Sequence, residues 1–199
     1  MRRRMGGLFQ DGALPGALTV GENVALPLTA HTKLPAELVR EIVVHKLALV
    51  GLADFVDYYP SELSGGMRKR AGLARAMVTD PPILLCDEPT SGLDPISAAQ
   101  MDELLLDMKA RFPGMTIISV SHDMASVRNI ADHVLVLHQK SIAYTGDLAG
   151  LEHSEDPYLR LFLDRKAVLR ETRNDPRLTL SEETRKRMHQ SLDTWLERG

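Results

Sequence analysis

The chain has 199 residues, of which 44% are hydrophobic and 26% charged, and its formal net charge is -3. That balance fits one globular domain with room for a small subdomain and offers no general attraction to nucleic acid or anionic lipid. One cysteine excludes an intramolecular disulfide, no Cys/His cluster suggests a structural zinc, and no apolar run nears the roughly 18 residues of a membrane span.

Met1-Arg2-Arg3-Arg4 opens like a signal peptide, but Gly6, Gly7, Gln10, Asp11 and Gly12 interrupt any apolar continuation. The expectation is a cytosolic protein whose membrane role, if any, runs through a partner. Gly7-Leu8-Phe9-Gln10 reads as the end of a strand, closed by a Gly/Pro-rich turn through Gly16. From about Val20 to Tyr59 the pattern is helical, with Leu38, Ile42, Val43, Leu47 and Val50 at three- and four-residue steps. Pro35 suits a first helical turn and Gly51 a C-terminal stop.

After Ser64-Gly65-Gly66 a second helical pattern runs to Asp80, with Met67, Ala71, Ala74 and Met77 or Val78 on one face, until Pro81-Pro82 ends it. Ile83-Leu84-Leu85-Cys86 and Thr116-Ile117-Ile118-Ser119-Val120 do not alternate, so both are expected as parallel strands buried on both faces. Ile96 to Phe112 has the length of a crossover helix between them. Val134-Leu135-Val136-Leu137 and Ile142-Ala143-Tyr144 read as a hairpin around Gln139-Lys140. Thr179 and Glu182 form a capping box that opens a helix with Met188, Leu192, Trp195 and Leu196 on one stripe. That stripe suits packing on the chain's own core or docking on a neighbouring subunit.

Three short strings carry chemistry. In Ile83-Leu84-Leu85-Cys86-Asp87-Glu88-Pro89 two carboxylates follow a buried strand, at the sheet edge where parallel α/β proteins put their ligands. One can hold Mg²⁺, largely through water, and the other can orient or deprotonate an attacking water. Leu63-Ser64-Gly65-Gly66 opens a helix whose unpaired N–H groups and dipole favour an anion. Ser119-Val120-Ser121-His122-Asp123 sets an imidazole at the same edge. Taken singly, each has a plain structural reading: a solvated acidic turn, a flexible N-cap, a solvated histidine.

Their order is more informative. Gln10, then Leu63-Ser64-Gly65-Gly66, Asp87-Glu88-Pro89, Ser91-Gly92-Leu93-Asp94 and Ser121-His122-Asp123 follow one another in a succession that resembles the ABC ATPase family. The resemblance covers about residues 1 to 150 and implies an α/β, RecA-like P-loop NTPase core with an inserted helical subdomain at about 11–80. A catalytic core at 81–150 and a charged helical extension at 151–199 complete the expected organisation. It implies Gln10 as the Q-loop glutamine touching Mg²⁺ or the attacking water, and Ser64, Gly65 and Gly66 as the signature motif on ATP held by a second subunit. Asp87 matches the Walker B aspartate on Mg²⁺, Glu88 the catalytic base, Asp94 the D-loop aspartate and His122 the switch histidine. Met67 departs from the glutamine that many members carry there, a subfamily variation that removes one polar contact.

Leu8-Phe9-Gln10-Asp11-Gly12-Ala13-Leu14 and Thr19-Val20-Gly21-Glu22-Asn23-Val24-Ala25-Leu26-Pro27-Leu28 resemble the Mla-type phospholipid branch, also known as toluene tolerance or organic solvent resistance. The implied partners are a second ATPase subunit in a homodimer, a transmembrane permease and a substrate-binding lipid carrier, at the cytoplasmic face of an inner membrane, without nucleic acid. The implied cofactors are ATP and Mg²⁺.

No G-x-x-x-x-G-K-[ST] occurs: Gly16 and Gly21 have the spacing, but Glu22-Asn23 follow. In the family this loop precedes the Q-loop, so the sequence is expected to lack the N-terminal part of the domain. Three expectations follow: an unpaired apolar sheet edge, ready aggregation, and an ATP affinity of about 4 kcal/mol or less. The competing reading is a degenerate module that lends only its signature motif to an intact partner. Soluble ABC-fold proteins of DNA repair and chromosome structure carry long heptad insertions or zinc sites, and neither is present here.

Overall fold

In the computed structural model, which describes residues 5–163, 181–184, 186 and 187, strand β1 (Met5–Leu8) leads through a turn into helix α1 (Val20–His31). The start of α1 is fixed reciprocally: Thr19 Oγ1 accepts from the Glu22 amide at 3.1 Å, and Glu22 Oε2 accepts from the Thr19 amide at 2.7 Å. Buried Asn23 donates to the carbonyls of Pro15, Leu18 and Thr19, pinning the loop that enters the helix. Helix α2 (Ala36–Leu49) starts after Pro35 and stops at Gly51, whose φ of +69° suits a residue without Cβ. The expected helical block from Val20 to Tyr59 is thus two helices followed by short 3₁₀ turns at Ala53–Phe55 and Pro60–Glu62.

Helix α3 (Gly65–Met77) packs on α1, α2 and β1, and Val24, Val43, Leu47, Leu73 and Met77 join Leu8 and Leu84 in one core. Strand β2 (Ile83–Asp87), helix α4 (Pro95–Arg111) and strand β3 (Thr116–Val120) follow, and the sheet order β1-β2-β3 is parallel throughout. Helix α5 (Met124–Ile130) then leads to the antiparallel pair β4 (Val134–His138) and β5 (Ser141–Gly146). Their turn is Gln139-Lys140, at φ values of +46° and +65°, as a two-residue hairpin of right-handed twist requires. Helices α6 (Leu148–Glu152) and α7 (Pro157–Leu163) build a second cluster, in which Leu151 and Leu159 meet Met124 and Val136.

Two expectations need correcting. The parallel strands are not buried on both faces: Leu84 and Cys86 point into the core, whereas Leu85, Ile118 and Val120 are 40%, 52% and 61% exposed. One layer of helices covers one side, so the register that pairs Leu85 with Ile118 leaves both on the open side. Gln10 does not end β1, which stops at Leu8; it sits in the exposed turn whose Gly12 amide donates to the Phe9 carbonyl.

Of the helix expected from Thr179, residues 182–184, 186 and 187 are helical, while Thr179, Met188, Leu192, Trp195 and Leu196 lie outside the described residues. Among the described residues no helix is long and apolar enough to cross a membrane.

Candidate functional site

Strand β2 delivers Asp87 and Glu88 to the C-terminal edge of the sheet. Asp87 is its last residue and is exposed. Glu88 turns left-handed at φ +49° while its amide still donates to the Val120 carbonyl at 2.9 Å. That bond extends the β2–β3 ladder by one step and brings Glu88 alongside the loop that carries His122. Glu88 Oε1 lies 2.7 Å from His122 Nδ1, with the carboxylate side chain 19% exposed and the imidazole 76% exposed. Hydrogen bonding to Glu88 first, then its charge and that of Asp123, push the His122 pKa up. Glu88 Oε2 is buried and has no partner in the protein.

The loop after Glu88 folds on itself through bonds from the Ser91 amide to the Glu88 carbonyl and from the Leu93 amide to the Thr90 carbonyl, each 3.2 Å. Gly92, at φ +71°, makes the reversal possible. Asp94 then caps α4, accepting from the Ile96 and Ser97 amides at 3.1 and 3.0 Å and from Ser97 Oγ at 2.5 Å. Those bonds, the Ser97 hydroxyl foremost, hold its carboxyl below the usual range. Ser64 caps α3 through the Met67 amide at 3.2 Å. An added Cβ on Gly66 would sit 3.8 Å from Ser97 and 3.9 Å from Leu93, so the Ser-Gly-Gly helix start lies beside the Ser91–Asp94 loop of its own chain.

A cavity of about 560 Å³ opens between these loops, lined by Glu88, Ser91, Gly92, His122, Asp123 and, from α7, Phe162. Gln10, Asp87 and Ser64–Gly66 do not line it. Two neighbours escaped the motif reading. Phe162 lies in a charged stretch without motif character. Lys69 is buried, although one helical turn before Leu73 on the core face of α3 is a position where a charge signals a partner.

The donor set suits a hard cation shared with phosphate. Asp87 is exposed beside the unpartnered Glu88 Oε2, and both offer oxygen. Among the described residues no group of three or more His, Cys, Asp or Glu could hold a metal ion.

The fold that this sheet and its helices define is that of the ATP-binding cassettes. Residues 1–91 match the family model described as ABC transporter. Over 168 residues, 84% of this chain and 46% of the relative, it is 45% identical to the probable ribonucleotide transport ATP-binding protein mkl of Mycobacterium tuberculosis. Over 164 residues, 82% of this chain and 61% of the relative, it is 44% identical to the intermembrane phospholipid transport system ATP-binding protein MlaF of Escherichia coli. It therefore spans between about half and three fifths of the length of these relatives. Among solved structures, the dimeric bacterial ABC transporter cassette MJ0796 superposes with a TM-score of 0.66 at 31% identity, over 74% of this chain and 64% of that one. CbiO1 of Clostridium perfringens, part of the cbiONQ transporter complex, gives 0.69 at 29% identity over 81% and 64%.

Proposed function

We propose that this chain belongs to the ATP-hydrolysing subunit of a phospholipid transporter, paired with a second ATPase subunit on a transmembrane permease at the cytoplasmic face of an inner membrane, with a lipid-carrying component; having no P-loop, it is inactive alone. The observation that carries the reading is the Glu88–His122 pair, 2.7 Å apart, with one carboxylate oxygen left over and facing no protein donor. Glu88 Oε2 is available to take a hydrogen bond, and then a proton, from the attacking water. His122 in its protonated form donates through Nδ1 to Glu88 and keeps Nε2–H for a terminal phosphate oxygen. Mg²⁺, when bound with ATP, neutralises charge on the phosphoryl oxygens. Asp87 and Gln10 would be the residues that hold it. Ser64, Gly65 and Gly66 offer helix N–H groups to the phosphate of a nucleotide held by the second subunit, and Asp94 meets that subunit at the seam.

The lipid assignment is supported by the Leu8–Leu14 and Thr19–Leu28 stretches and by the printed name of the MlaF relative. The mkl relative carries a ribonucleotide name instead. Reconstitution of the subunit with its permease in proteoliposomes separates the two. ATP-dependent transfer of a fluorescent phospholipid is expected, and Glu88→Gln should slow it at least about 100-fold. Ribonucleotide uptake without lipid transfer would remove the lipid reading. Hydrolysis unchanged by Glu88→Gln would remove the site.

A further inference from the structure

Lys69 lies in α3, five positions after Ser64, and is 4% exposed. A buried ammonium is ordinarily matched to a carboxylate. Here Nζ instead donates to two main-chain carbonyls, that of Glu88 at 3.0 Å and that of Ser91 at 2.6 Å. These carbonyls are the two ends of one turn. Within it the Ser91 amide reaches the Glu88 carbonyl only at 3.2 Å, and Glu88 itself is held at φ +49°, a conformation that L side chains avoid. Burial pulls the Lys69 pKa down, and the charges of Asp11 and Glu88 act against that shift. Asp11 follows Gln10, so the ammonium sits among the Gln10 turn, the signature helix and the Glu88 loop.

We propose that Lys69 is a positioning residue that clamps the Glu88–Ser91 turn to α3 and so keeps the Glu88 carboxylate turned toward His122. Its role in hydrolysis rests on the reading of Glu88 as the base; its role as a clamp does not. The helix that presents Ser64, Gly65 and Gly66 at one end thereby holds, one turn further on, the chain's own acid loop. A rigid α3 then moves signature and Glu88 as one body.

Hydrogen exchange on the full chain tests the clamp. In Lys69→Met the amides of Ser91 and Leu93 are expected to exchange about tenfold faster, with β2 and the rest of α3 unchanged, and Lys69→Arg should recover part of the protection. Acceleration spread over the whole chain, or none at all in residues 88–93, would overturn it. Where Lys69→Met does not fold, Lys69→Arg decides on the same amides: a change confined to the loop supports the clamp, and a global or absent change refutes it. In the permease-bound complex Lys69→Met should lower kcat about tenfold or more with KM for ATP within about twofold, the pattern of lost orientation rather than lost binding. A raised KM at constant kcat contradicts it. Glu88→Gln serves as the control: wild-type hydrolysis in that variant removes the base assignment, while the exchange result still decides the clamp.

Discussion

His122 Nδ1 and Glu88 Oε1 stand 2.7 Å apart although 34 positions separate them in the chain. What joins them is the parallel pairing of β2 with β3, carried one step past the strands by the bond from the Glu88 amide to the Val120 carbonyl. The pair is a consequence of register, and a shift of one residue would turn one of the two side chains to the opposite face.

The raised His122 pKa follows from that geometry, since Glu88 favours the imidazolium. A proton NMR titration should place the His122 midpoint above the ordinary value of about 6.5, and Glu88→Gln should bring it back. A group raised on folding contributes its stability in full below the unfolded value and loses it as pH climbs through the folded value. The pair should therefore tighten the site in full below about pH 6.5, and weaken as pH rises through the raised His122 midpoint. A midpoint identical in both proteins would contradict this.

Cys86, the free and buried cysteine of β2, has its thiol pushed up to about 12 by burial. It stays neutral at pH 8 and should not react with a thiol reagent until the chain unfolds. Labelling followed across a urea titration should coincide with loss of helical signal. Fast labelling of the native protein would contradict it.

Gly6 lies against the interior of α3: an added Cβ would sit 2.2 Å from the Ala76 carbonyl oxygen, a backbone atom that cannot swing away. Gly6→Ala should cost about 3 kcal/mol in denaturant unfolding. Gly16→Ala, whose Cβ meets nothing within 4 Å, should stay within about 0.5 kcal/mol. Equal effects would refute the contact.

Asp102 is buried in α4 and accepts from Ser126 Oγ at 2.5 Å and from Asn129 Nδ2 at 3.2 Å, both on α5. Helix α4 starts beside Asp94 and α5 beside His122, so this contact sets the angle between two loops of the site. Asp102→Ala should cost about 2 kcal/mol by leaving two donors without an acceptor, and Asp102→Asn, which keeps an acceptor oxygen, should cost less. Calorimetry with no difference between the two would remove the assigned cause.

Helix α3 and its Ser64 cap, the crossover α4, the three strands and the hairpin at Gln139-Lys140 were legible because each depends on residues close in sequence. Side-chain period, a capping hydroxyl and a proline stop act over a single turn. Exposure of Leu85, Ile118 and Val120 was not legible: an unbroken apolar run describes the side chains and leaves open how many layers cover the sheet. Gln10 was placed at the end of a strand that stops two residues earlier for a related reason, since a strand ends where its hydrogen bonds to a neighbour end.

The order of Gln10, Ser64-Gly65-Gly66, Asp87-Glu88, Asp94 and His122 by itself carried the resemblance to ATP-binding cassettes. Which of them meet was decided by tertiary structure alone. Strand register couples Glu88 to His122, the Asp94 cap stays with its own helix, and a buried lysine that belongs to no motif reaches across to the acid loop. Local sequence sets what a residue can donate or accept, and only packing sets the distance over which it does so.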